Sequence, residues 1–170
     1  TDGMRQAVFS SIAARVPGAR FWDLFAGSGA YGLEALSRGA AGGVWVERNG
    51  KAVDCLRKNL AAVCKSLQRD EQGLTIVTAD ATTVPWPEAV APDLVFIDPP
   101  YELITDVAPR LFARLRELLA AHRDPVIVFE MPGELDLQPP DWTCVKRLGK
   151  GVRQPTVCFY RRTTSIPVAP

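Results

Sequence analysis

The residue run most directly suited to chemistry is Asp98-Pro99-Pro100-Tyr101, which follows a buried apolar segment. Two consecutive prolines remove two backbone N–H donors and stiffen the turn. The Asp98 carboxylate and the Pro99 carbonyl then form a fixed pair of acceptors for both hydrogens of an amine on a heterocycle. Holding both hydrogens directs the nitrogen lone pair toward an electrophile and stabilises the positive charge that develops there. Tyr101 supplies a stacking face worth about 1–3 kcal/mol; a rigid turn with a buried tyrosine is the structural alternative.

A second stretch, Asp23 to Gly32, has the pattern of a strand end, a glycine turn and a helix start. Gly27 and Gly29 let a ligand approach the backbone, and the helix N-terminus favours a polar or anionic group. Gly27, Gly29 and Gly32 satisfy the G-x-G-x-x-G pattern, which also describes dinucleotide-binding loops. No lysine follows the glycines, so this is not a phosphate-cradling P-loop. A structural turn without a ligand is the remaining alternative.

Acidic residues fall at or just beyond the carboxyl ends of several predicted strands. They are Asp23, Glu47, Asp80 and Asp98. In an open α/β sheet, ligands bind outside these strand ends, near the point where the strand order reverses. Carboxylates along one rim suit a ligand with amines, hydroxyls and positive charge, and they suit a pyrophosphate poorly. Helix N-capping is the structural alternative for any one of them.

These side chains require a sheet that brings strand ends to one edge, and the hydrophobic pattern predicts such a sheet. Apolar runs separated by amphipathic helices indicate parallel strands with helices on both faces. The predicted strands are Arg20–Phe25, Val44–Val46, Leu74–Thr78, Asp93–Asp98, Val126–Phe129, Trp142–Leu148 and Thr156–Arg161. The last two have no predicted helix between them and form an antiparallel edge hairpin. The fold class is therefore α/β, with a mostly parallel sheet of seven strands.

Apolar residues at helical spacing predict the helices that cover this sheet. The predicted helices are Thr1–Pro17, a helix from Ala30 that is closed by Gly39 and the Gly42-Gly43 pair, about Asn49–Leu67, and Val107–Leu119. Pro109 is expected in the first turn of the last helix. Prolines 85, 87 and 92 predict a loop before Asp93. One domain is expected over residues 1–162, with a flexible tail over residues 163–170.

The composition predicts a single soluble domain. The 170 residues carry a net charge of only +1, so any basic surface must be local. The cysteines are scattered and His122 is the one histidine, so a zinc site or a disulfide framework is not expected and buried reduced thiols are the default. No signal peptide and no apolar run of about 18 residues is present. We therefore expect a cytoplasmic monomer without a metal or a membrane partner.

Taken together, these stretches resemble class I S-adenosylmethionine-dependent methyltransferases. More narrowly, they resemble the RsmD family, which methylates a guanine N2 in bacterial small-subunit ribosomal RNA. The resemblance covers about Thr1 to Arg161 and rests on the leading helix, Asp23–Gly29, Leu33–Ala40, Glu47 and Asp98–Tyr101. It implies a Rossmann-like class I methyltransferase fold with S-adenosylmethionine as cofactor. It also implies ribosomal RNA, or an assembly intermediate of the small subunit, as partner.

The resemblance further implies roles for individual residues. Asp98, Pro99, Pro100 and Tyr101 would hold the target base, and the sulfonium methyl would pass directly to nitrogen without a metal or a covalent enzyme intermediate. The cofactor-binding set is Asp23, Phe25, Ala26, Gly27, Ser28, Gly29, Glu47, Arg48, Asp80 and Ala81. Within it, Asp23 and the turn backbone would hold the methionine part. Glu47 would bind the ribose hydroxyls, and Asp80 with Ala81 the adenine.

Other activities remain open. A methyltransferase acting on adenine N6 in DNA or on a protein glutamine can use a site of the same type. A nicotinamide-dependent oxidoreductase would place a dinucleotide on the glycine turn, and a non-catalytic RNA-binding domain would keep the pocket without turnover. Methylation assays on 30S particles, naked rRNA, DNA and protein separate the methyltransferases. Binding of labelled nucleotides tests the oxidoreductase.

The segment from Trp142 to Pro170 contains no acidic residue, although the whole chain is near neutral. Its basic residues are Lys146, Arg147, Lys150, Arg153, Arg161 and Arg162. This asymmetry predicts a phosphate-contacting edge beside the active site, and an ordinary solvated hairpin is the alternative. Lys150 and Arg153 are the expected RNA contacts, because the turn between the strands projects furthest.

Overall fold

In a computed structural model, which describes residues 2–86, 91–149 and 151–166, the chain forms an α/β sandwich around one sheet. The strands are β1 (Arg20–Leu24), β2 (Gly42–Glu47), β3 (Leu74–Thr78), β4 (Leu94–Ile97), β5 (Val126–Pro132), β6 (Trp142–Leu148) and β7 (Pro155–Arg162). Their order across the seven-stranded sheet is β3-β2-β1-β4-β5-β7-β6. Strands β1 to β5 pair in parallel, whereas β7 is antiparallel to both β5 and β6. The predicted fold class and edge hairpin are confirmed.

Helices cover both faces of the sheet and bury its strands. They are α1 (Asp2–Ser11), α2 (Ala30–Ser37), α3 (Gly50–Ser66) and α4 (Ile104–Leu118). On one face, Phe9 of α1 and Leu56 of α3 belong to the same buried cluster as Phe96 of β4. On the other face, Phe112 of α4 stacks on Phe129 of β5, with ring centroids 5.5 Å apart. Coverage on both faces explains why the central strands are continuous apolar runs.

The connection between β3 and β4 covers part of the second face without a helix in its described residues. Trp86 stacks on Trp22 of β1, with ring centroids 4.0 Å apart and an interplanar angle of 3°. The guanidinium of Arg114 from α4 lies 5.2 Å from the centroid of the Trp86 ring. The predicted loop is therefore confirmed in this part, and its aromatic residue replaces the side chains that a helix would supply.

The leading helix ends earlier than its apolar spacing predicts. Helix α1 ends at Ser11 rather than Pro17, and a 3₁₀ turn follows at Ala13–Arg15. Ile12 and Val16 are nevertheless both buried. Because a 3₁₀ turn returns to the same side after three residues, it buries the next apolar residue as a longer α-helix would.

Two local predictions in the middle of the chain were wrong. Gly42 and Gly43 belong to β2 and do not close the preceding helix. A Cβ atom on Gly43 would lie 2.3 Å from the carbonyl oxygen of Phe21, so only glycine permits this strand approach. Pro109 lies inside α4, beyond its first turn, because winding already begins in the 3₁₀ turn Tyr101–Leu103.

The end of the chain is attached to the sheet as far as it is described. Thr163–Ser165 form a 3₁₀ turn, and the Thr163 N–H donates to the carbonyl of Asp141 over 3.0 Å. Thr1, Pro87, Lys150 and residues 167–170 lie outside the described residues. The cysteines are free, but Cys55 and Cys144 are exposed, so the expectation that all four thiols are buried was wrong. No helix in the described ranges is long and apolar enough to span a membrane.

Candidate active site

A cleft of about 790 Å³ opens at the carboxyl edge of the parallel strands. The strand order reverses between β1 and β4, which is the position at which open α/β sheets bind ligands. The sequence-predicted residues that line the cleft are Asp23, Phe25, Ala26, Gly27, Ser28, Glu47, Arg48, Asp80, Asp98, Pro99, Pro100 and Tyr101. Gly29 and Ala81 are not among its lining residues. Both predicted stretches, the glycine turn and the Asp-Pro-Pro-Tyr run, therefore face one cavity.

The glycine turn lies directly against α3. Gly29 has a φ of 87° at the N-cap position of α2, and a Cβ atom there would lie 2.1 Å from Cδ1 of Leu56. Only glycine satisfies both the left-handed backbone and this close contact. Gly29 therefore shapes the turn from beneath, and Ala26, Gly27 and Ser28 form the surface that the cleft exposes.

Glu47 connects the glycine turn to the start of α3. Its Oε1 accepts a hydrogen bond from the Gly27 N–H at 2.9 Å, and its Oε2 accepts one from the Asn49 N–H at 2.8 Å. The Asn49 side chain in turn caps α3 by accepting from the Ala52 N–H. Each Glu47 oxygen keeps a second lone pair. The carboxylate is therefore fixed in the cleft wall and can still accept two hydrogen bonds from a ligand.

Asp80 follows β3 and forms a tight local turn. Its Oδ1 accepts hydrogen bonds from both the N–H and the hydroxyl of Thr82, at 2.8 and 2.7 Å. These bonds lower the pKa of Asp80, and the positive charge of Arg48 acts in the same direction. Ala81 is buried beneath this turn. Asp80 is thus an ionised acceptor at the far end of the cleft.

Three carboxyl groups from neighbouring strands lie on one face of the sheet. Asp23 pairs in register with Phe96, and because Ile97 pairs with Phe129, Asp98 and Glu130 follow side by side. The Gly32 N–H donates to Asp23 over 2.9 Å, yet burial raises the pKa of Asp23 to about 8. Burial, followed by a hydrogen bond with Glu130 and its charge, raises the pKa of Asp98 to about 8. Asp23 and Asp98 are therefore held protonated near neutral pH by their surroundings.

Glu130 is oriented by a tyrosine from the opposing helix. The hydroxyl of Tyr31 in α2 donates to Oε1 of Glu130 over 3.0 Å. The Tyr31 ring stacks on Phe96 of β4, with centroids 5.3 Å apart and an interplanar angle of 15°. This stacking fixes the position of the hydroxyl and therefore the rotamer of the Glu130 carboxyl group.

The Asp-Pro-Pro-Tyr run leaves its aromatic ring accessible. Pro99 is buried, whereas the Tyr101 residue is 43% exposed and borders the cleft. The alternative of a rigid turn around a buried tyrosine is therefore wrong. The exposed ring can stack on a planar ligand whose amine reaches Asp98.

The hairpin turn lies at the same edge as the cleft. Pro155 pairs with Pro132 at the carboxyl end of β5, which brings the preceding turn to that edge. Arg153 is exposed in this turn, and its N–H donates to Oε1 of Glu134 over 2.5 Å. Lys150, the other predicted RNA contact, falls outside the described residues.

Three other arginines of the basic C-terminal segment have structural partners. Arg161 binds both oxygens of Asp124, and Arg162 donates to carbonyl oxygens at the end of α4, including that of Leu119. Arg147 donates to the carbonyl oxygens of Gly133 and Leu135. Arg161 pairs in register with Val126, at the opposite edge of the sheet from the cleft. These three arginines are thus engaged within the protein, whereas Lys146 on β6 is exposed, and the phosphate-contacting edge stays a prediction.

Several residues of the cleft were not predicted from the sequence. They are Arg5, Ala30, Tyr31, Thr82, Leu103, Asp106, Val107, Arg110 and Glu130. The signal for Glu130 was available, since it ends a predicted strand as the other acids do. The described residues contain no group of three or more His, Cys, Asp or Glu side chains that could hold a metal.

Comparison with known families gives one match over nearly the whole chain. The family described as "Conserved hypothetical protein 95" matches residues 1–161. A curated relative is the "Ribosomal RNA small subunit methyltransferase D" of Escherichia coli strain K12, which is 37% identical over 101 residues. That alignment covers 59% of this chain and 48% of the relative, so the chain spans about half the length of this relative.

Solved structures with the same architecture extend the likeness to almost all of the chain. The structure titled "Putative methyltransferase yhhF from Escherichia coli" is 29% identical with a TM-score of 0.79, covering 95% of this chain and 86% of that one. A conserved hypothetical protein from Streptococcus pyogenes is also 29% identical, with a TM-score of 0.77 and coverage of 96% and 98%. The edge hairpin and the cleft-forming strands thus belong to an arrangement that relatives share.

Proposed function

The chain belongs to the RsmD family, whose description is conserved hypothetical protein 95, and from this premise we propose that it methylates a guanine of small-subunit ribosomal RNA at N2. S-adenosylmethionine is the proposed methyl donor. The observation that carries the proposal is the position of Asp98 and Pro99 beside an exposed Tyr101, in the same cleft as the glycine turn. A fixed acceptor pair next to a stacking face suits an exocyclic amine on a flat base.

The cleft wall suits the proposed cofactor. When bound, S-adenosylmethionine supplies an electrophilic methyl group on a cationic sulfonium. Glu47 has two free lone pairs and would accept the ribose hydroxyls. Asp80 would border the adenine, with the buried Ala81 next to it in the chain. Phe25, Arg48 and the backbone of residues 26–29 would complete the site, with Asp23 near the methionine amine. A cationic amine favours the ionised form of Asp23.

The same residues act on the base by orientation and charge. In its ionised form, which donor hydrogens of a bound base favour, the Asp98 carboxylate would accept one hydrogen of the N2 amine. The Pro99 carbonyl would accept the other, while Tyr101 stacks on the ring. This arrangement directs the nitrogen lone pair into the cleft and stabilises positive charge as the new N–C bond forms. The N2 proton that leaves after transfer lies next to Asp98, whose raised pKa makes it a suitable acceptor.

The proposed partner is ribosomal RNA or an assembly intermediate of the small subunit, bound by a single domain over residues 1–162 acting as a monomer. The location of the hairpin turn at the carboxyl edge supports this proposal, because it places the exposed Arg153 at the same edge as the cleft. RNA recognition of this kind depends on shape and on a splayed-out base rather than on a deep groove.

The reaction is tested by supplying labelled S-adenosylmethionine with unmethylated 30S particles, naked rRNA, DNA and a protein mixture. Mass spectrometry of the digested nucleosides and peptides should detect N2-methylguanosine in RNA and no other methylated product. N6-methyladenosine or methylglutamine instead would overturn the assignment.

The cofactor site has its own test. Glu47→Ala should weaken binding of S-adenosylmethionine by about 1–3 kcal/mol, because two hydroxyls lose their acceptor. Isothermal calorimetry measures the change. Unchanged affinity would remove Glu47 from the site.

A further inference from the structure

Glu130 places a second carboxyl group next to Asp98 at the carboxyl edge of the sheet. Strands β4 and β5 pair in parallel up to Ile97 and Phe129, so the two acids leave the sheet side by side. Both line the cleft, and Glu130 raises the pKa of Asp98 through a hydrogen bond and through its charge. The base-holding run supplies Asp98, but neither the glycine turn nor that run accounts for Glu130.

The orientation of Glu130 is fixed by a hydrogen bond from Tyr31 of α2. Tyr31 donates its hydroxyl hydrogen to Oε1 of Glu130 over 3.0 Å, and the Tyr31 ring is held against Phe96. Because this hydrogen is used inside the protein, Tyr31 does not offer a donor to a ligand. Once the proton between them has left, the carboxylates of Asp98 and Glu130 and the Pro99 carbonyl offer three acceptors to a ligand.

The three nucleobases with an exocyclic amine differ in what they present next to that amine. Guanine has the N1–H beside its N2 amine, which gives three donor hydrogens in a row. Adenine has the unprotonated N1 beside its N6 amine, and cytosine has the unprotonated N3 beside its N4 amine. An acceptor next to Asp98 and the Pro99 carbonyl therefore matches the N1–H of guanine. In adenine and cytosine the same acceptor would face a nitrogen lone pair.

We propose that Glu130 is a specificity-determining residue that accepts the guanine N1–H while Asp98 and the Pro99 carbonyl hold the N2 amine. Tyr31 is its positioning residue, because it acts through Glu130. The proposal rests on the proposed function and deepens it, since it assigns the choice of guanine to one side chain. It also requires the proton between Asp98 and Glu130 to pass to solvent when the base binds, because all three acceptors are then used by base hydrogens.

The test compares Glu130→Gln with Glu102→Gln in the full chain. Glu102 is the neighbour of Tyr101 in the chain and is exposed, but it does not line the cleft. Unmethylated 30S particles and naked rRNA are the substrates, and N2-methylguanosine and N6-methyladenosine are quantified by mass spectrometry. Glu130→Gln should lower kcat/KM for N2-methylguanosine by about 10- to 100-fold, because one acceptor is replaced by an amide that can turn its NH₂ toward N1–H. Glu102→Gln should stay within about twofold of the wild type.

Tyr31→Phe provides a second, milder variant should Glu130→Gln not fold. It keeps the stacked ring and removes only the hydroxyl that holds Glu130. We expect a loss of about 3- to 10-fold in kcat/KM, with calorimetry giving an unchanged affinity for S-adenosylmethionine. A merely structural defect would instead lower the melting temperature and the cofactor affinity together.

The outcomes separate the two proposals. Wild-type protein that forms no N2-methylguanosine overturns the proposed function and this inference with it. Wild-type protein that forms N2-methylguanosine, together with Glu130→Gln and Tyr31→Phe variants of unchanged kcat/KM, overturns the inference alone. Glu130-dependent formation of N6-methyladenosine also overturns it, since the shared proton would then serve as the donor to adenine N1.

Discussion

The two edges of the sheet place aspartate in opposite surroundings. At the amino edge, Asp124 accepts hydrogen bonds from Arg15 and Arg161 at 3.0 and 2.9 Å. Burial alone would raise the pKa of Asp124, but the two guanidinium groups outweigh it and lower that pKa. At the carboxyl edge, Asp98 lies against Glu130, and burial raises its pKa to about 8. Asp124, which is paired with two arginines, stabilises the fold. Asp98, which lies next to a second acid and has a raised pKa, marks the site for a ligand.

At the amino edge, the acidic side chains are hydrogen-bonded to other groups of the protein. His122 lies 2.7 Å from Asp93, which also accepts the N–H of Arg20. The Asp124 N–H donates to Nδ1 of His122, so that nitrogen is an acceptor and Nε2 carries the hydrogen toward Asp93. The end of α4, the start of β4 and the start of β5 are joined by these bonds. Such a network needs no ligand to satisfy it.

The largest difference between the edges should appear in catalysis. Asp98→Ala removes an acceptor of the target amine, and we expect kcat to fall by about 10³-fold or more, which corresponds to about 4 kcal/mol. Cofactor affinity should fall much less, because Asp98 acts on the base. Single-turnover methylation and calorimetry measure the two effects. Wild-type turnover in Asp98→Ala would show that the carboxyl edge does not hold the amine.

The matching change at the amino edge should affect folding. Asp124→Ala leaves the Arg15 and Arg161 guanidinium groups without their carboxylate, and we expect a loss of about 2–3 kcal/mol in the free energy of unfolding. Urea denaturation provides the measurement. Asp54→Ala, an exposed aspartate on α3, serves as control and should change stability by less than about 0.5 kcal/mol. Equal losses in both variants would contradict the structural role of Asp124.

Only part of the residues at the two edges could be predicted from the sequence. Strand-end acids such as Asp23 and Glu47 could be predicted, because parallel strands end at one edge. Tyr31 could not, since nothing in an apolar helix identifies which ring turns toward a distant glutamate. The Asp124 network was equally hidden, because its arginines come from a 3₁₀ turn and from a hairpin strand far apart in sequence.

Some errors have the same physical origin. The sequence placed Arg161 with Lys150 and Arg153 in one basic segment, although the strand between them separates Arg161 from the turn by the length of β7. The glycine pair before Val44 resembled a helix end because the pattern carries no information on the neighbouring Phe21 backbone. Contacts between distant segments decide both cases.

The edges should respond to pH with opposite signs. For Asp23, whose pKa is raised to about 8, the folded state binds more protons than the unfolded state between pH 4 and 8. The free energy of unfolding therefore falls as pH rises through this window. Asp23→Asn should reduce the slope of that free energy against pH, and the contribution of Asp98 to the slope should remain. For Asp124, whose pKa is lowered, the contribution is present above about pH 4 and is lost as pH falls through the folded pKa. Unfolding free energies from pH 3 to pH 8 check both signs, and Asp124→Asn should flatten only the acidic side.

The smallest expected effect concerns the hairpin turn, where the carboxyl edge would meet RNA. If Lys150 and Arg153 each neutralise a phosphate, replacing both with alanine should weaken RNA binding and flatten its salt dependence by up to about two units of slope. Cofactor affinity should not change, because phosphate contact and cofactor capture use different groups. Replacing Lys58 and Lys65, exposed on α3, removes the same charge and should leave the slope unchanged. An unaltered slope in the turn variant would assign the RNA contact to another surface, and equal flattening in both variants would mean that net charge alone governs binding.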